Sequence, residues 1–374
     1  MARKLTGLGL AFEKTQTARG AEARPRKLLT PNAAGTDRAD ILLLVGDRTG
    51  RVIGELVAEV NGVAWKLSQY AQARLTIARR DATAQEQLLR PGNRLLIRFG
   101  NGLPDWGGVI DPPRKWRNGK IEITAYSGEY LLTYRVTDRA RYFRTATAGE
   151  IFRSLLQEAR PLGVQVGTVW MGGILHSPEY HYRELYDIVT KSLTERVGSA
   201  DWDVRAKLIS GQIVFQANYY ERKGIDHGRR VCLLEGVNVA RGDLAEQGTI
   251  ANQVFMAGAG TGWDDDSRIY ATASDANSQG LYGLRQSGEI RVDITEQETL
   301  DENATLALLT SKAPRPVVSI DSLDLPPGRF GQYDVGDTVW LELYESGFDG
   351  YAQPVRVTAR EFLPGSNTCS LVIE

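Results

Sequence analysis

The stretch Gly92-Asn93-Arg94-Leu95-Leu96-Ile97 returns 244 positions later as Gly336-Asp337-Thr338-Val339-Trp340-Leu341. In both places a glycine and a short polar residue, a pair suited to reversing the chain, precede a strand-forming run rich in apolar residues. The correspondence continues in order. "VIDP" after Trp106 matches "VRVTA" after Pro354, and the hairpin strand "KIEITAYS" matches "CSLVIE" beyond the "LPGSN" turn. Three matching strands in one sequence order, each set closing its own β region, predict two copies of one β module. A chain of 374 residues has room for both, since it is too long for one ordinary core and suggests two or three domains.

Composition narrows the class further. Hydrophobic residues at 42% and charged residues at 24% exclude a disordered chain, a collagen and a disulfide scaffold. The formal net charge of -1 argues against a sequence-independent grip on nucleic-acid phosphates. No run approaches the ~18 apolar residues of a spanning helix. The N-terminal "MARKLTGLGLAFEKTQTARG" is basic, but charge soon interrupts its apolar stretch, so it does not read as a signal peptide and a cytosol-like compartment is expected.

Along the chain, residues 1–40 mix Arg, Ala, Gly and Pro without a period and read as an extended arm. Residues 41–142 hold short β runs punctuated by Asn61-Gly62, Pro91-Gly92-Asn93 and Asn118-Gly119, a first small barrel. Residues 143–230 form an α+β domain. It opens with the helix "TAGEIFRSLLQEARP", in which Thr147 and Glu150 have capping-box spacing. A second helix, "RELYDIVTKSLTERVG", has the apolar stripe Leu185, Ile188, Val189 and Leu193 and stops at Gly198, and a hairpin then turns at Ser210-Gly211. Residues 231–262 and 314–374 make a discontinuous second barrel, and residues 263–313 an inserted lobe with a helix at "TLDENATLALLTSKAP". The expected fold is α+β and mainly β, two small β-barrels related by internal pseudo-symmetry with a middle domain and a small lobe.

Candidates for chemistry are few. His176, His181 and His227 fall in no catalytic or metal-ligating spacing and read as ordinary histidines. Asp264, Asp265 and Asp266 offer oxygens to a hard cation but lack the alternating spacing of a calcium loop, so a solvated turn is expected. Gly258 to Gly262 ("GAGTG") has no Lys-Ser/Thr after it and reads as a hinge between lobes. Cys232 and Cys369 are far apart and read as buried small hydrophobes. Arg114, Lys115, Arg117 and Lys120 around Trp116 read as a solvated hairpin tip, with a subunit contact preferred over a nucleic-acid platform. No catalytic, cofactor-binding or metal-ligating residue is assigned. A rival reading, a glycan or receptor binder, would build a sugar platform from Trp106, Trp116 and Trp263.

The order of these pieces resembles the baseplate or tail-tip hub proteins of tailed bacteriophages. It runs from "WGGVID", a basic stretch and "ITAYSGEYLLTYR" to the capped helix "TAGEIFRSLLQEA". After these come Ser278 to Tyr282-Gly283, a polar strand, a helix with apolar Leu300, Leu306 and Leu309, and the final Gly-Asp strand. The resemblance spans about Ile41 to the C-terminus. It implies a non-enzymatic homotrimer at the distal end of a virion tail, its two barrels per chain matching a sixfold tube to a threefold spike. Implied partners are a distal tail or tube protein on one side and a fibre, spike or tape-measure protein on the other, with no tight nucleic-acid binding, no cofactor and no membrane-spanning segment.

Overall fold

The computed structural model describes residues 41–175, 178–195, 200–260, 268–292, 294–344 and 350–374. The first β module contains β1 (Ile41–Gly46), β2 (Val52–Glu55), β3 (Glu59–Lys66) and β4 (Gln72–Ala78). A single helical turn, α1 (Glu86–Leu89), leads to β5 (Arg94–Phe99), β6 (Trp106–Arg117) and β7 (Lys120–Ser127). All its strand pairs are antiparallel, in the order β3-β4-β7-β6-β5-β1-β2. Alternation decides what is buried: Ala73, Leu75 and Ile77 of β4 and Ile121, Ile123 and Ala125 of β7 face one core.

The tight turn at Asn118-Gly119 is present, both residues having positive φ. Asn61-Gly62, expected to reverse the chain, instead lies inside β3, and the reversal comes later, around Ser68 (φ 55°). Register accounts for the difference. Val63 is fully buried and pairs with Ala73 on one side and Phe362 on the other, contacts that a turn at 61–62 would forfeit.

A 3-10 segment, Gly128–Tyr134, leads into the α+β region: β8 (Arg141–Tyr142), β9 (Ala146–Thr147), α2 (Ala148–Ala159), β10 (Val164–Val169), β11 (Ile174–Leu175), β12 (Glu179–Tyr180), α3 (Leu185–Asp187), β13 (Asp201–Ile209) and β14 (Gln212–Tyr220). The Thr147–Glu150 capping box forms as predicted, with Glu150 N donating to Thr147 Oγ1 (3.2 Å) and Thr147 N to Glu150 Oε2 (2.9 Å). Ile151, Phe152, Leu155 and Leu156 pack on β14, which pairs antiparallel with β13 and parallel with β10. The second predicted α-helix is corrected: α3 has three residues and continues as a π-helix, Ile188–Glu195. The wider winding buries Thr190 and Ser192 together with Ile188, Val189 and Leu193, more of the circumference than an α stripe covers. Its predicted stop, Gly198, is outside the described residues.

Beyond the middle region come β15 (Cys232–Leu234), β16 (Val239–Gln247), β17 (Gln253–Ala257), β18 (Tyr270–Ser274), α4 (Ala276–Tyr282), β19 (Gln286–Ile290), α5 (Gln297–Ser311), β20 (Arg315–Leu323), β21 (Thr338–Leu343), β22 (Tyr351–Leu363) and β23 (Thr368–Ile373). The large-sheet strands run in the order β16-β20-β23-β22-β21-β15 over their own core. β17 pairs with β18 and β19 and shares their core with α5, not that of β15 and β16. α5 buries Leu300, Ala304 and Leu308, four residues apart. Leu306 is half-buried and Leu309 is exposed, so the predicted apolar face is rotated by about one residue.

Matched in chain order, β1, β3, β4, β5, β6 and β7 take the same sheet positions as β15, β16, β20, β21, β22 and β23. The repeated turn is also built twice. Gly92 N donates to Ile110 O (2.8 Å), Ile110 N to Asn93 O (2.8 Å) and Asn93 N to Arg90 O (3.1 Å). Gly336 N likewise donates to Val357 O (2.8 Å), Val357 N to Asp337 O (2.9 Å) and Asp337 N to Asp334 O (3.1 Å). One departure is that β1 runs antiparallel to β5 whereas β15 runs parallel to β21. The two modules join through β3 and β22, giving one continuous 13-stranded sheet. Trp65, Phe99, Phe362 and Phe330 meet ring to ring along this joint at 5.7–5.8 Å.

Candidate assembly surfaces

Where β13 and β14 meet the turn before β21, the chain concentrates charge it could have left in water. Asp201, Asp203 and Arg360 are buried. Asp201 accepts from Lys223 N (2.7 Å) and from Arg356, which reaches it from β22. Asp203 accepts from Asn218 Nδ2 (2.8 Å), Arg205 Nε (2.9 Å) and Lys223 Nζ (3.0 Å). Arg205 continues to Asp334 (2.8 Å), and Asp334 meets Arg360 (3.3 Å). Burial pushes the Asp203 carboxyl up, but Lys223 and then Arg205 outweigh it and hold the group below the ordinary aspartate range. Alternating signs satisfied in this way give little net stability, whereas removing one member leaves its partner's charge buried and unanswered.

A small cleft of about 60 Å³ opens at this network, lined by Trp65, Trp106, Glu129, Asp203, Arg205 and Asp334 among others. Glu129 Oε1 accepts from Val204 N (2.8 Å), and burial raises its carboxyl to about 7. No local pattern in the sequence marks this group as a site. The only sign was a glutamate between two apolar runs, in "SGEYLL".

The basic hairpin tip is larger than "PPRKWRNGK" alone. β4 pairs with β7 up to Ala78 opposite Lys120, and Arg79 N donates to Gly119 O (2.8 Å). The exposed Arg79 and Arg80 therefore stand beside exposed Arg117 and Lys120. The signal was the Arg-Arg pair ending "RLTIARR", which joins the patch only once the strand pairing is known. Trp116 is 58% exposed, with Arg114 5.3 Å from its ring. Trp106, the second member of the proposed sugar platform, is instead a core residue whose Nε1 donates to Ala64 O (2.8 Å). The two glycines after it, Gly107 and Gly108, leave no room for a Cβ against Ala206 and the Tyr126 carbonyl, so β6 runs close to its neighbours here. Trp263 is outside the described residues.

The remaining candidates are dispersed. His227 Nε2 lies 3.0 Å from Asp337 Oδ2, inside the turn before β21. The His181 ring lies 4.1 Å from that of Tyr182, tilted by 31°. His176, Asp264, Asp265, Asp266 and Gly262 lie outside the described residues, while Gly258 is pressed against Ile294 O and Ile269. Cys369 is buried as expected. Cys232 is half-buried, because its Sγ turns toward the Arg229 carbonyl (3.1 Å) at the module's edge. Among the described residues no helix is long and apolar enough to cross a membrane.

No protein-family profile and no curated protein matches the chain. Solved structures do. The 43 kDa tail protein of prophage MuSo2 from Shewanella oneidensis is similar over 89% of this chain and 97% of that one, with a TM-score of 0.60 and 13% identity. A tail protein from Neisseria meningitidis MC58 is similar over 89% of this chain and 96% of that one, also at 0.60 and 13%. Prophage tail protein gp18 from Listeria monocytogenes EGD-e covers 89% and 94%, at 0.55 and 13%. The chain has the fold of these tail proteins, mainly β with a helical minority, and the resemblance read from the sequence holds at that level.

Proposed function

We propose that this chain is a non-enzymatic structural component of a phage-like tail, a hub at its distal end. The observation that carries the reading is the doubled β module. Six strands take the same sheet positions twice, each copy carries the same hydrogen-bonded turn before its fourth strand, β5 or β21, and the whole lies in a fold shared over 89% of the chain with prophage tail proteins. In a homotrimer, two such modules per chain present six similar surfaces to a sixfold ring, while unlike parts of the chain keep threefold symmetry on the other side. Closure of the ring also covers sheet edges that would otherwise recruit further strands.

In this reading residues 41–142 are the first barrel and 143–230 the middle domain. The second barrel comprises the strands β15, β16 and β20 to β23, and the inserted lobe begins at β17. A distal tail or tube protein above, and a fibre, spike or tape-measure protein below, are the partners. Any nucleic acid passing through meets no tight binding site. Imaging of the assembled tail tip, with native mass spectrometry of the purified chain, tests this. Three copies per ring, with two superposable β modules each, are expected. A monomer that persists at high concentration, or modules that no rotation superposes, would refute it.

A further inference from the structure

A second groove lies between the first β module and the middle region, away from the charge network. It has a volume of about 480 Å³ and is lined by Arg48, Arg94, Arg160, Tyr134, Val109 and Leu131, with Thr49, Pro161, Leu162 and two glycines completing it. None of its lining residues is acidic. Arg48 and Arg160 are exposed, and among the described residues neither makes an ion pair. Arg94 is only 4% exposed. Its guanidinium donates to three carbonyls, Ile213 O (2.6 Å), Arg48 O (3.1 Å) and Leu162 O (3.2 Å), and sits 5.2 Å from the Phe215 ring.

Carbonyl dipoles and a ring face satisfy donors without neutralising charge. A buried guanidinium with no carboxylate against it is an uncompensated cation. Burial lowers the affinity of Arg94 for its proton, opposed only by the more distant Asp47. Neither Asp47 nor Asp111 lines the groove or forms an ion pair with Arg94. Asp47 accepts from Thr49 N (2.8 Å), Thr49 Oγ1 (2.6 Å) and Arg51 N (3.1 Å), and Asp111 accepts from Tyr134 Oη (2.8 Å). Three guanidiniums around a recess with no acidic wall set up a positive potential that a low-dielectric lining concentrates. The apolar part of that lining, Val109, Leu131, Leu162 and Tyr134, suits the body of a ligand whose head is the anion.

We propose that this groove binds a small organic oxyanion, a carboxylate or phosphate carried on an apolar body. Arg48 and Arg160 grip the head, and the fixed charge of Arg94 raises the potential between them. Guanidinium recognition of either head is the same chemistry, two parallel N–H donors to two oxygens.

The test uses the full chain with two probes, inorganic phosphate and benzoate, each titrated calorimetrically at constant ionic strength set with chloride. Saturable one-site binding of either probe is expected. Arg48→Gln and Arg160→Gln should each weaken it by roughly tenfold, the loss of one charged hydrogen bond. The melting temperature without ligand should stay unchanged, because both side chains are exposed and, among the described residues, hold no other partner. Phosphate alone binding assigns a phosphate head, and benzoate alone a carboxylate. Heats no different from the chloride control, or wild-type affinity in both variants, overturn the proposal. Failure here leaves the hub reading untouched, since oligomeric state and ring symmetry are separate measurements.

Discussion

Glu129 and Arg360 show how a buried charge is decided by its neighbours. Burial moves Glu129 from 4.5 up to about 7. Between those values the folded chain holds a proton that the unfolded chain has released, so stability falls as pH rises through that window and is level above it. Glu129→Gln keeps an acceptor for Val204 N and cannot ionise. The variant should gain on the wild type progressively from pH 4.5 to 7, by up to about 3 kcal/mol, in urea midpoints measured at each pH. An unchanged difference across that window would show Glu129 to be uncoupled from folding. Arg360 is the opposite case: its charge is fully buried but answered by Asp334, the Phe330 and Tyr333 carbonyls and the Trp65 ring. Arg360→Ala strands these partners and should cost about 3–5 kcal/mol in denaturant unfolding.

At the scale of elements, α2 and α5 differ in how far the sequence defines them. α2 is specified by its own residues, since Thr147 and Glu150 close its first turn reciprocally. Thr147→Ala should cost about 1 kcal/mol, read from the shift in chemical denaturation midpoint. α5 has weak amphipathicity, and the side it buries is chosen by the sheet of β17, β18 and β19. Leu308→Ala should therefore destabilise by about 2–5 kcal/mol, whereas Leu309→Ala should lie within about 0.5 kcal/mol of wild type. Equal losses at the two positions, monitored by proteolysis within this lobe, would contradict the face assigned here. The same contrast explains Asn61-Gly62. Turn chemistry at those residues is real, but β3 has a partner on both sides, and two ladders of hydrogen bonds outweigh one local preference.

For the molecule as a whole, the joint between β3 and β22 ties two β modules into one sheet. Phe362 is buried at its centre and touches both Phe99 and Phe330. Phe362→Ala should cost about 3–5 kcal/mol and raise hydrogen exchange in β3 and β22 together. Exchange confined to β22 would mean that the modules open independently. The sequence by itself determined the recurrent turn and strand, because glycine conformational freedom and side-chain alternation act over a few residues. It determined the capped helix and the absence of any recognisable catalytic spacing for the same reason. Only the tertiary structure decided that Arg79 and Arg80 join the tip at Arg117 and Lys120, that Trp106 faces inward, and that Arg48, Arg94 and Arg160 enclose one groove. Each of these depends on strand pairing and packing between segments tens of residues apart, where burial and electrostatics are set by neighbours that no local pattern names.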